Sequence, residues 1–263
     1  MHDRATVAEA LRLRDEEGLG ARRVAGRLGL PLATVRDWHA GKLPRSATDL
    51  ACGEQSPPSC GRCGHDRHRF EGLNETYVYL LGLYLGDGSI AQHPRRVFKL
   101  RVFLDKKYPG IVDECSSAIS MVMPANQVGR RLTASNCWEV WSFSRAWPCL
   151  FPQHGPGRKH ERRIWLADWQ QELAERWPEA LIRGMIQSDG CRFMNTGRGG
   201  WSHPRYEFKN VSSDITSIFC SACDCLNLRW TAAFPSDESR GISIYVSRKA
   251  DVARMDQFVG PKA

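Results

Sequence analysis

Two aspartates occupy matching positions in two similar stretches of the chain. Residues 80–88 read Leu-Leu-Gly-Leu-Tyr-Leu-Gly-Asp-Gly, and residues 182–190 read Ile-Arg-Gly-Met-Ile-Gln-Ser-Asp-Gly. Asp189 follows Asp87 by 102 residues. Two carboxylates brought close together repel each other unless a cation lies between them, and Mg²⁺ prefers oxygen ligands of this kind. If the two stretches pack side by side, they present a candidate site for a divalent metal.

Each stretch also has the features of a helix that packs closely against another helix. Small residues four positions apart share one helix face and let two backbones approach each other. These small residues are Gly82 and Gly86 in the first stretch, and Gly184 and Ser188 in the second. Each run then ends at Asp-Gly, where we expect Gly88 and Gly190 to take the left-handed conformation that ends a helix. Each aspartate is therefore presented at a helix end.

The paired stretches resemble the LAGLIDADG motif of the homing endonuclease family. One such run alone is more simply a buried helix with a glycine stop, but two copies at a domain-sized interval favour the motif. The resemblance implies that the motif helices pack through Gly82, Gly86, Gly184 and Ser188. It implies that Asp87 and Asp189 are catalytic ligands of Mg²⁺, one for each DNA strand. Family enzymes place basic side chains around the attacking water, and the candidates here are Lys99, Lys209, Arg145 and Arg248.

Composition is that of a globular protein with a polyanionic partner. The 263 residues are 42% hydrophobic and 25% charged, and the net charge of +8 with a pI near 9.1 suits nucleic acid. No apolar run approaches the length that spans a bilayer, and the N-terminus lacks the apolar stretch of a secretory signal. We therefore expect a cytoplasmic protein without membrane partners, whose ten cysteines are free thiols or metal ligands rather than disulfides.

Residues 6–41 have the pattern of a small helical domain. Apolar spacing predicts a first helix, followed by helices at residues 21–28 and 32–39 with a glycine-proline turn between them. The pattern resembles the helix-turn-helix of resolvase-type DNA-binding domains, in which Thr34 and Arg36 are the candidate base contacts. The expected core consists of Val24, Leu28, Val35 and Trp38. A three-helix interaction module that does not touch DNA is the alternative.

Residues 46–73 form a predicted linker, interrupted by proline, glycine and serine. Cys60 and Cys63 have the spacing of half a zinc site, because two thiolates in a tight turn can grip one tetrahedral ion. The other two ligands would come from Cys52 with His65 or His68. The alternative is a flexible tether with free thiols.

The rest of the chain predicts one module repeated twice. After each motif helix, the order is two strands, a helix, two strands and a helix, in halves at residues 74–153 and 179–263. The fold class is therefore predicted as α+β, with a duplicated αββαββα LAGLIDADG module that carries saddle-shaped antiparallel sheets, preceded by a small all-α helix-turn-helix domain. The predicted boundaries are residues 1–45, 46–73 and 74–263. We expect a monomer with an internal pseudo-two-fold axis.

Alternating side chains predict that each sheet has an apolar face and a basic face. In residues 96–104, Phe98, Leu100 and Val102 alternate with Lys99 and Arg101. The second half places its basic side chains in the same way, at Arg205, Lys209 and Arg229. Arginine can bond guanine edges in the major groove, so these residues are candidate contacts to double-stranded DNA. Plain solvent exposure would produce the same alternation.

The leading hypothesis is a site-specific double-stranded DNA endonuclease of the LAGLIDADG homing type, with an appended helix-turn-helix. The chain has no splicing cysteine at its start and no His-Asn at its end, so we expect a free-standing protein rather than an intein. One alternative is a non-cutting transcriptional regulator on the same fold, as in the sporulation-regulator family; the other is an RNA maturase. Two retained acids favour the nuclease.

Overall fold

A computed structural model describes residues 4–40, 72–197, 200–237, 240–260 and 262. These residues belong to two compact units, a small one at the N-terminus and a larger one that carries both aspartates. The predicted zinc ligands Cys60 and Cys63 lie outside the described residues. Within the described part of the chain, no helix is both long and apolar enough to cross a membrane.

The small unit consists of three short helices around one core. Helix α1 spans Arg4–Asp15, α2 spans Ala21–Leu28 and α3 spans Leu32–His39. Gly29 ends α2 in the left-handed region at φ 64°, which glycine adopts without a steric cost. Val24, Val35 and Trp38 are buried as predicted, and Leu28 packs against them from a partly buried position.

The first half of the larger unit begins at the motif helix. Asn74 sets its start, because its side chain accepts a hydrogen bond of 3.0 Å from the backbone N–H of Thr76. The elements of this half are α4 (Glu75–Asp87), β1 (Gly88–His93), β2 (Val97–Asp105), α5 (Pro109–Val122), β3 (Val128–Leu132), β4 (Cys137–Ser144) and α6 (Trp147–Leu150).

The second half repeats this order after a connecting segment. The connector contains a short 3₁₀ turn, Lys159–Glu161, and helix α7, Asp168–Arg176. Pro178 stops α7 and opens the second motif helix, because proline cannot continue a helix but suits its first turn. The repeated elements are α8 (Pro178–Asp189), β5 (Gly190–Thr196), β6 (Ser202–Asn210), α9 (Ser213–Cys225), β7 (Trp230–Ala233), β8 (Ile242–Val246) and α10 (Lys249–Phe258).

The two halves form two antiparallel sheets of the same topology. The strand order is β1-β2-β4-β3 in the first sheet and β5-β6-β8-β7 in the second. Val102 lies opposite Val140 in the first sheet, as Phe208 lies opposite Ile244 in the second. The repeated order of helices and strands confirms the predicted α+β class and the duplicated αββαββα module.

One face of each sheet packs against helices, and the other, here called the outer face, is turned away from them. Leu100 and Val102 are buried on the inner face of β2, and Tyr206 and Phe208 on that of β6. The alternation predicted for these two strands is therefore confirmed. The inner faces and the motif helices share one continuous hydrophobic core, so the sheets hold the motif helices in place.

The predicted left-handed conformation of the two motif-ending glycines is wrong. Gly88 is extended at φ −86° and ψ 152°, and Gly190 at φ −111° and ψ 174°, because each already begins a strand. Glycine is needed at these two positions because a Cβ atom would not fit, rather than because of the dihedral angles. A Cβ on Gly88 would overlap the backbone of Tyr84, and a Cβ on Gly190 would lie 2.7 Å from Cδ1 of Ile186.

Candidate active site

The two motif helices pack backbone to backbone at their small residues. A Cβ on Gly82 would lie 2.6 Å from the carbonyl oxygen of Leu181, and a Cβ on Gly184 would overlap the carbonyl oxygen of Tyr79. One turn further on, a side chain at Gly86 would collide with Ser188. The structure thus places all four predicted interface residues at the contact.

This contact brings the two aspartates to the same end of the helix pair. Asp87 and Asp189 are the last residues of α4 and α8, and both are half-buried. The approach is close, since a Cβ on Gly86 would lie 3.2 Å from the carboxyl carbon of Asp189. Burial, and then the charge of Asp189, raise the pKa of Asp87 from 3.8 to about 6. Burial also raises the pKa of Asp189.

A carboxylate at a helix C-terminus meets the negative end of the helix dipole, so this arrangement needs a counter-charge. Lys159 supplies one at α4. Its Nζ donates hydrogen bonds to the carbonyl oxygens of Tyr84 (2.5 Å), Leu85 (2.9 Å) and Gly86 (2.6 Å). An ammonium has three N–H donors, so Lys159 is fully engaged. Burial lowers its pKa from 10.5 to about 8, although both aspartates favour its charged form.

Lys262 plays the matching part at the second motif helix. Its Nζ donates to the carbonyl oxygens of Ser188, at 3.4 Å, and Gly190. Burial lowers the pKa of Lys262, opposed by the charges of Asp87 and Asp189 among others. Each motif helix therefore ends in an aspartate with a lysine bonded to nearby carbonyl oxygens. Lys159 reaches three carbonyls of α4, and Lys262 reaches one of α8 and that of Gly190, the first residue of β5.

Two cavities flank the aspartates, and each combines the acid of one half with a lysine that follows the last helix of the other half. Lys159 lies in the connector after α6, and Lys262 lies after α10. Lys159 and the end of α4 line a cavity of about 440 Å³ together with Asp189. Lys262 and the end of α8 line a smaller cavity of about 180 Å³ together with Asp87.

The remaining lining differs between the two cavities. Asn210 lies beside Asp189, and its Nδ2 donates a hydrogen bond of 2.7 Å to the Asp189 carboxylate. Lys209 and Arg240 add positive charge to that cavity. The Asp87 cavity instead contains a second acid, Asp105.

The donor set suits a hard divalent cation that keeps part of its water shell. Each cavity presents the carboxylate oxygens of one of these aspartates, and Mg²⁺ is commonly held by one or two carboxylates together with phosphate oxygens and water. Among the described residues, no group of three or more His, Cys, Asp or Glu side chains is placed to hold a metal. The residues therefore fit a metal that substrate and water complete, rather than one enclosed by protein.

The predicted DNA contacts of the first sheet are partly engaged within the protein. On the outer face, Nζ of Lys99 lies 2.7 Å from the buried carboxylate of Glu139, whose other oxygen pairs with Arg131 at 2.5 Å. Only 15% of the Lys99 side chain is exposed. Arg101 is half-buried, and its Nε has no hydrogen-bond partner within the described structure.

The second sheet presents its predicted contacts more openly. Lys209 is exposed on β6, and the guanidinium of Arg205 lies 4.9 Å from the centre of the Tyr245 ring. Arg229 is exposed as well but lies one residue before β7, outside the sheet. Nε of Arg205 is buried and, among the described residues, has no hydrogen-bond partner. Lys209 belongs both to this outer face and to the cavity lined by Asp189.

The other predicted site residues lie elsewhere. Thr34 is half-buried and Arg36 is exposed on α3 of the small unit. Arg145 and Arg248, which were candidates for a place beside the attacking water, are exposed and line neither cavity. Lys99 lines neither cavity, so Lys209 is the one candidate of that group beside an aspartate.

Sequence reasoning missed Lys159, Lys262 and Asn210. The two lysines lie outside the elements that carry the recognisable repeat, so neither attracts notice in isolation. Their spacing held a signal, since Lys159 follows Asp87 by 72 residues and Lys262 follows Asp189 by 73. Asn210 has no such signal in the sequence, because asparagine is common in the turns at strand ends.

Comparisons with known proteins find similarity in structure alone. No protein-family model and no curated protein matches the chain. The chain is similar to the crystal structure of I-DmoI in complex with DNA and Mn, with 13% identity, coverage of 71% of this chain and 97% of that chain, and a TM-score of 0.48.

It is also similar to the N-terminal LAGLIDADG domain of DUF199/WhiA, with 12% identity, coverage of 78% of this chain and 87% of that chain, and a TM-score of 0.47. Full-length DUF199/WhiA from Thermatoga maritima is similar with 12% identity, coverage of 71% of this chain and 55% of that chain, and a TM-score of 0.46. Similarity at these levels carries no argument about activity, which has to come from the geometry of the site.

Proposed function

We propose that the chain is a site-specific double-stranded DNA endonuclease of the LAGLIDADG homing type, which hydrolyses phosphodiester bonds with a divalent cation. The observation that carries the proposal is the pair of aspartates at the ends of two closely packed helices. Each carboxylate is held where an unfavourable helix dipole and a like charge both oppose it. A structural role gives no reason to place two acids there.

Each group in the two cavities has a part in this proposal. Asp87 and Asp189 would hold the divalent cation, which when bound supplies an activated water and offsets charge on the phosphate. Asn210 holds the Asp189 carboxylate in one orientation through its hydrogen bond of 2.7 Å. Lys159 and Lys262 offset the negative helix ends and the charges of the two carboxylates. One cavity per strand allows a single chain to cut both strands.

The nucleic-acid contacts are assigned to the outer faces of the sheets. Arg205 and Lys209 are the main candidates in the second sheet, with Arg229 just before β7. Arg101 is the candidate in the first sheet, because Lys99 is paired with Glu139. Their cations would neutralise phosphates and contact base edges. The small unit adds Thr34 and Arg36 as further candidate contacts.

The test is a cleavage assay against a library of duplex sites, with and without Mg²⁺. We expect cutting only with the metal, and products cut in both strands. Asp87→Asn and Asp189→Asn should each abolish cutting while DNA affinity stays within about threefold of the wild type, since an amide keeps the size but not the charge of the acid. The matched control is Asp224→Asn on the exposed side of α9, which should cut normally.

The alternative outcomes separate the competing functions. Tight sequence-specific duplex binding without cutting in any metal would favour the transcriptional regulator. Cutting that survives Asp87→Asn would remove that residue from the chemistry. A preference for structured RNA over duplex DNA would favour the maturase.

A further inference from the structure

The outer face of the first sheet carries a layer of packed aromatic rings. His93 meets Phe143 edge-on, with ring centres 5.0 Å apart, and Phe143 meets Trp141 at 5.3 Å. The Trp141 ring lies directly over Gly129 of the neighbouring strand, where a Cβ would overlap the indole. Packing on both sides therefore holds the Trp141 and Phe143 rings in fixed positions.

The cation nearest to these rings is engaged with the protein. Lys99 lies over Trp141, with Nζ 4.9 Å from the ring centre, and is paired at 2.7 Å with buried Glu139. Lys99 uses one N–H donor on a carboxylate that is 1% exposed, and only 15% of its own side chain is exposed to a partner outside the protein. A buried carboxylate that loses a partner is costly, so Lys99 stays with Glu139.

The matching positions of the second sheet have different chemistry. Tyr245 stands on β8 where Trp141 stands on β4, since Ile244 and Val140 occupy equivalent registers. Arg205 lies over the face of Tyr245, and exposed Lys209 lies further along the same strand. The residue opposite Tyr245 is Glu207, whereas the residue opposite Trp141 is Arg101.

We propose that the two sheets read duplex DNA by different chemistry. The first sheet reads thymine through contact of Trp141 and Phe143 with its 5-methyl group, and the second reads guanine through hydrogen bonds from Arg205 and Lys209. This inference rests on the DNA binding of the proposed function, but not on cleavage.

The chemistry of the groove leads to this assignment. The major groove offers one apolar group, the thymine methyl, and a phenyl ring has no donor or acceptor with which to read anything else. Guanine presents two acceptors, which a guanidinium or an ammonium can reach. Rings that are already fixed lose little conformational freedom on contact, which favours binding through a small apolar group.

The test uses the full chain and changes the DNA first. Sites are selected from a randomised duplex pool, and Arg205→Ala assigns the half-sites, because it relaxes base preference in the half that the second sheet reads. Each thymine is then replaced by deoxyuridine, which removes only the methyl group. Each guanine is replaced by 7-deazaguanine, which removes the N7 acceptor.

In the half-site that the first sheet reads, we expect removal of each contacted methyl group to lower affinity about fourfold. This is the value of one buried methylene. Deoxyuridine in the second-sheet half should have no effect, and 7-deazaguanine should weaken binding mainly there. Trp141→Leu and Phe143→Leu should remove the methyl dependence. Tyr245→Leu, at the matching position of the second sheet, should leave it intact.

Several results would overturn the inference. Equal guanine dependence in both halves, or deoxyuridine without effect in either, would show that both sheets read by hydrogen bonds. Tighter binding to single strands than to duplex, lost in Trp141→Leu, would show that the rings stack on unpaired bases. A pool that enriches no sequence would overturn both this inference and the proposed function. Methyl-dependent binding without cutting would support the inference and reject the nuclease.

Discussion

The ionised carboxylate of Asp87 lowers the free energy of unfolding. Its pKa rises from 3.8 to about 6 on folding, chiefly through burial and then through the charge of Asp189. Between those two values the folded state binds more protons than the unfolded state, so stability falls as pH rises through this window. Above about pH 6 the full cost of keeping the carboxylate ionised is roughly 3 kcal/mol.

We therefore expect Asp87→Asn to be more stable than the wild type at pH 7, by up to about 3 kcal/mol, and nearly equal to it at pH 4. Urea unfolding between pH 4 and pH 7.5 measures the difference. Asp256 is a control of opposite sign, because its bonds to Arg192 and Tyr206 lower its pKa. Asp256→Asn should lose stability at pH 7. An Asp87→Asn protein that is less stable at pH 7 would contradict the argument.

Lys99 and Lys209 were predicted to do the same work, but their surroundings differ. Lys99 is engaged with Glu139, whereas Lys209 is exposed and, in the described structure, makes no hydrogen bond or ion pair. We expect Lys209→Ala to weaken DNA binding and to reduce the salt slope by about 1, the signature of one phosphate contact.

Lys99→Ala should change DNA affinity less than Lys209→Ala but lower the free energy of unfolding by about 2 kcal/mol, since Glu139 then keeps only Arg131. Salt titrations of binding and urea titrations of folding separate the two roles. If Lys99→Ala and Lys209→Ala changed the salt slope equally and neither changed the free energy of unfolding, the ion pair with Glu139 would not restrict Lys99.

At the scale of elements, the packing of α4 against α8 decides whether the acids meet. The closest approach is at Gly82 and Gly184, where each Cα faces the backbone of the other helix. A backbone cannot move aside as a flexible side chain can, so a methyl group there must push the helices apart.

We expect Gly184→Ala to lower the free energy of unfolding by about 3 kcal/mol, at the upper end for overpacking. Since the acids lie one turn away, metal-dependent cutting should fall more than DNA binding does. Gly72→Ala is the control, because among the described residues no atom beyond its chain neighbours lies within 4 Å of the added Cβ. A fully stable Gly184→Ala protein would mean that the helices separate without cost.

Much of this architecture could be predicted from the sequence, because its signals are local. Helices α2 and α3 match the predicted residues 21–28 and 32–39. Periodicity and turn residues determine such elements within a few positions. The conformation of Gly88 was predicted wrongly because the strand that follows, rather than the helix that ends, controls its dihedral angles.

The parts that could not be predicted depend on contacts between distant residues. Lys159 reaches carbonyl groups more than 70 residues earlier in the chain, and Glu139 takes up Lys99 from another strand. No local pattern reveals which lysine will find a buried partner. The fold class was therefore predictable, while the difference between an available cation and an engaged one was not.

At the scale of the whole molecule, both acids, both lysines and both sheets belong to the larger unit. We therefore expect a fragment that starts at residue 72 to select and cut the same site as the full chain, with lower affinity. The small unit would add affinity through tethering, which raises the effective concentration of the second contact.

Affinity measurements and mapping of the cut position on the selected site test this division. The fragment should keep the cut position unchanged and bind about tenfold or more weakly, within the range that tethering provides. If the fragment folds but shows no preference for the site, while residues 1–45 alone do, recognition belongs to the small unit.

The crossing of lysine and acid between the halves also constrains how the chain can change over time. Each cavity draws its acid from one half and its lysine from the segment that follows the last helix of the other half. A gene for one half and the segment after it would therefore encode a protein that is useful only as a pair. Joining two copies in one reading frame removes the need for identical partners. Each half can then drift toward its own stretch of target, as the unlike outer faces of the two sheets have done. The lysine and the acid that line one cavity cannot change independently. Halves exchanged between related genes would therefore have to keep compatible residues at these positions.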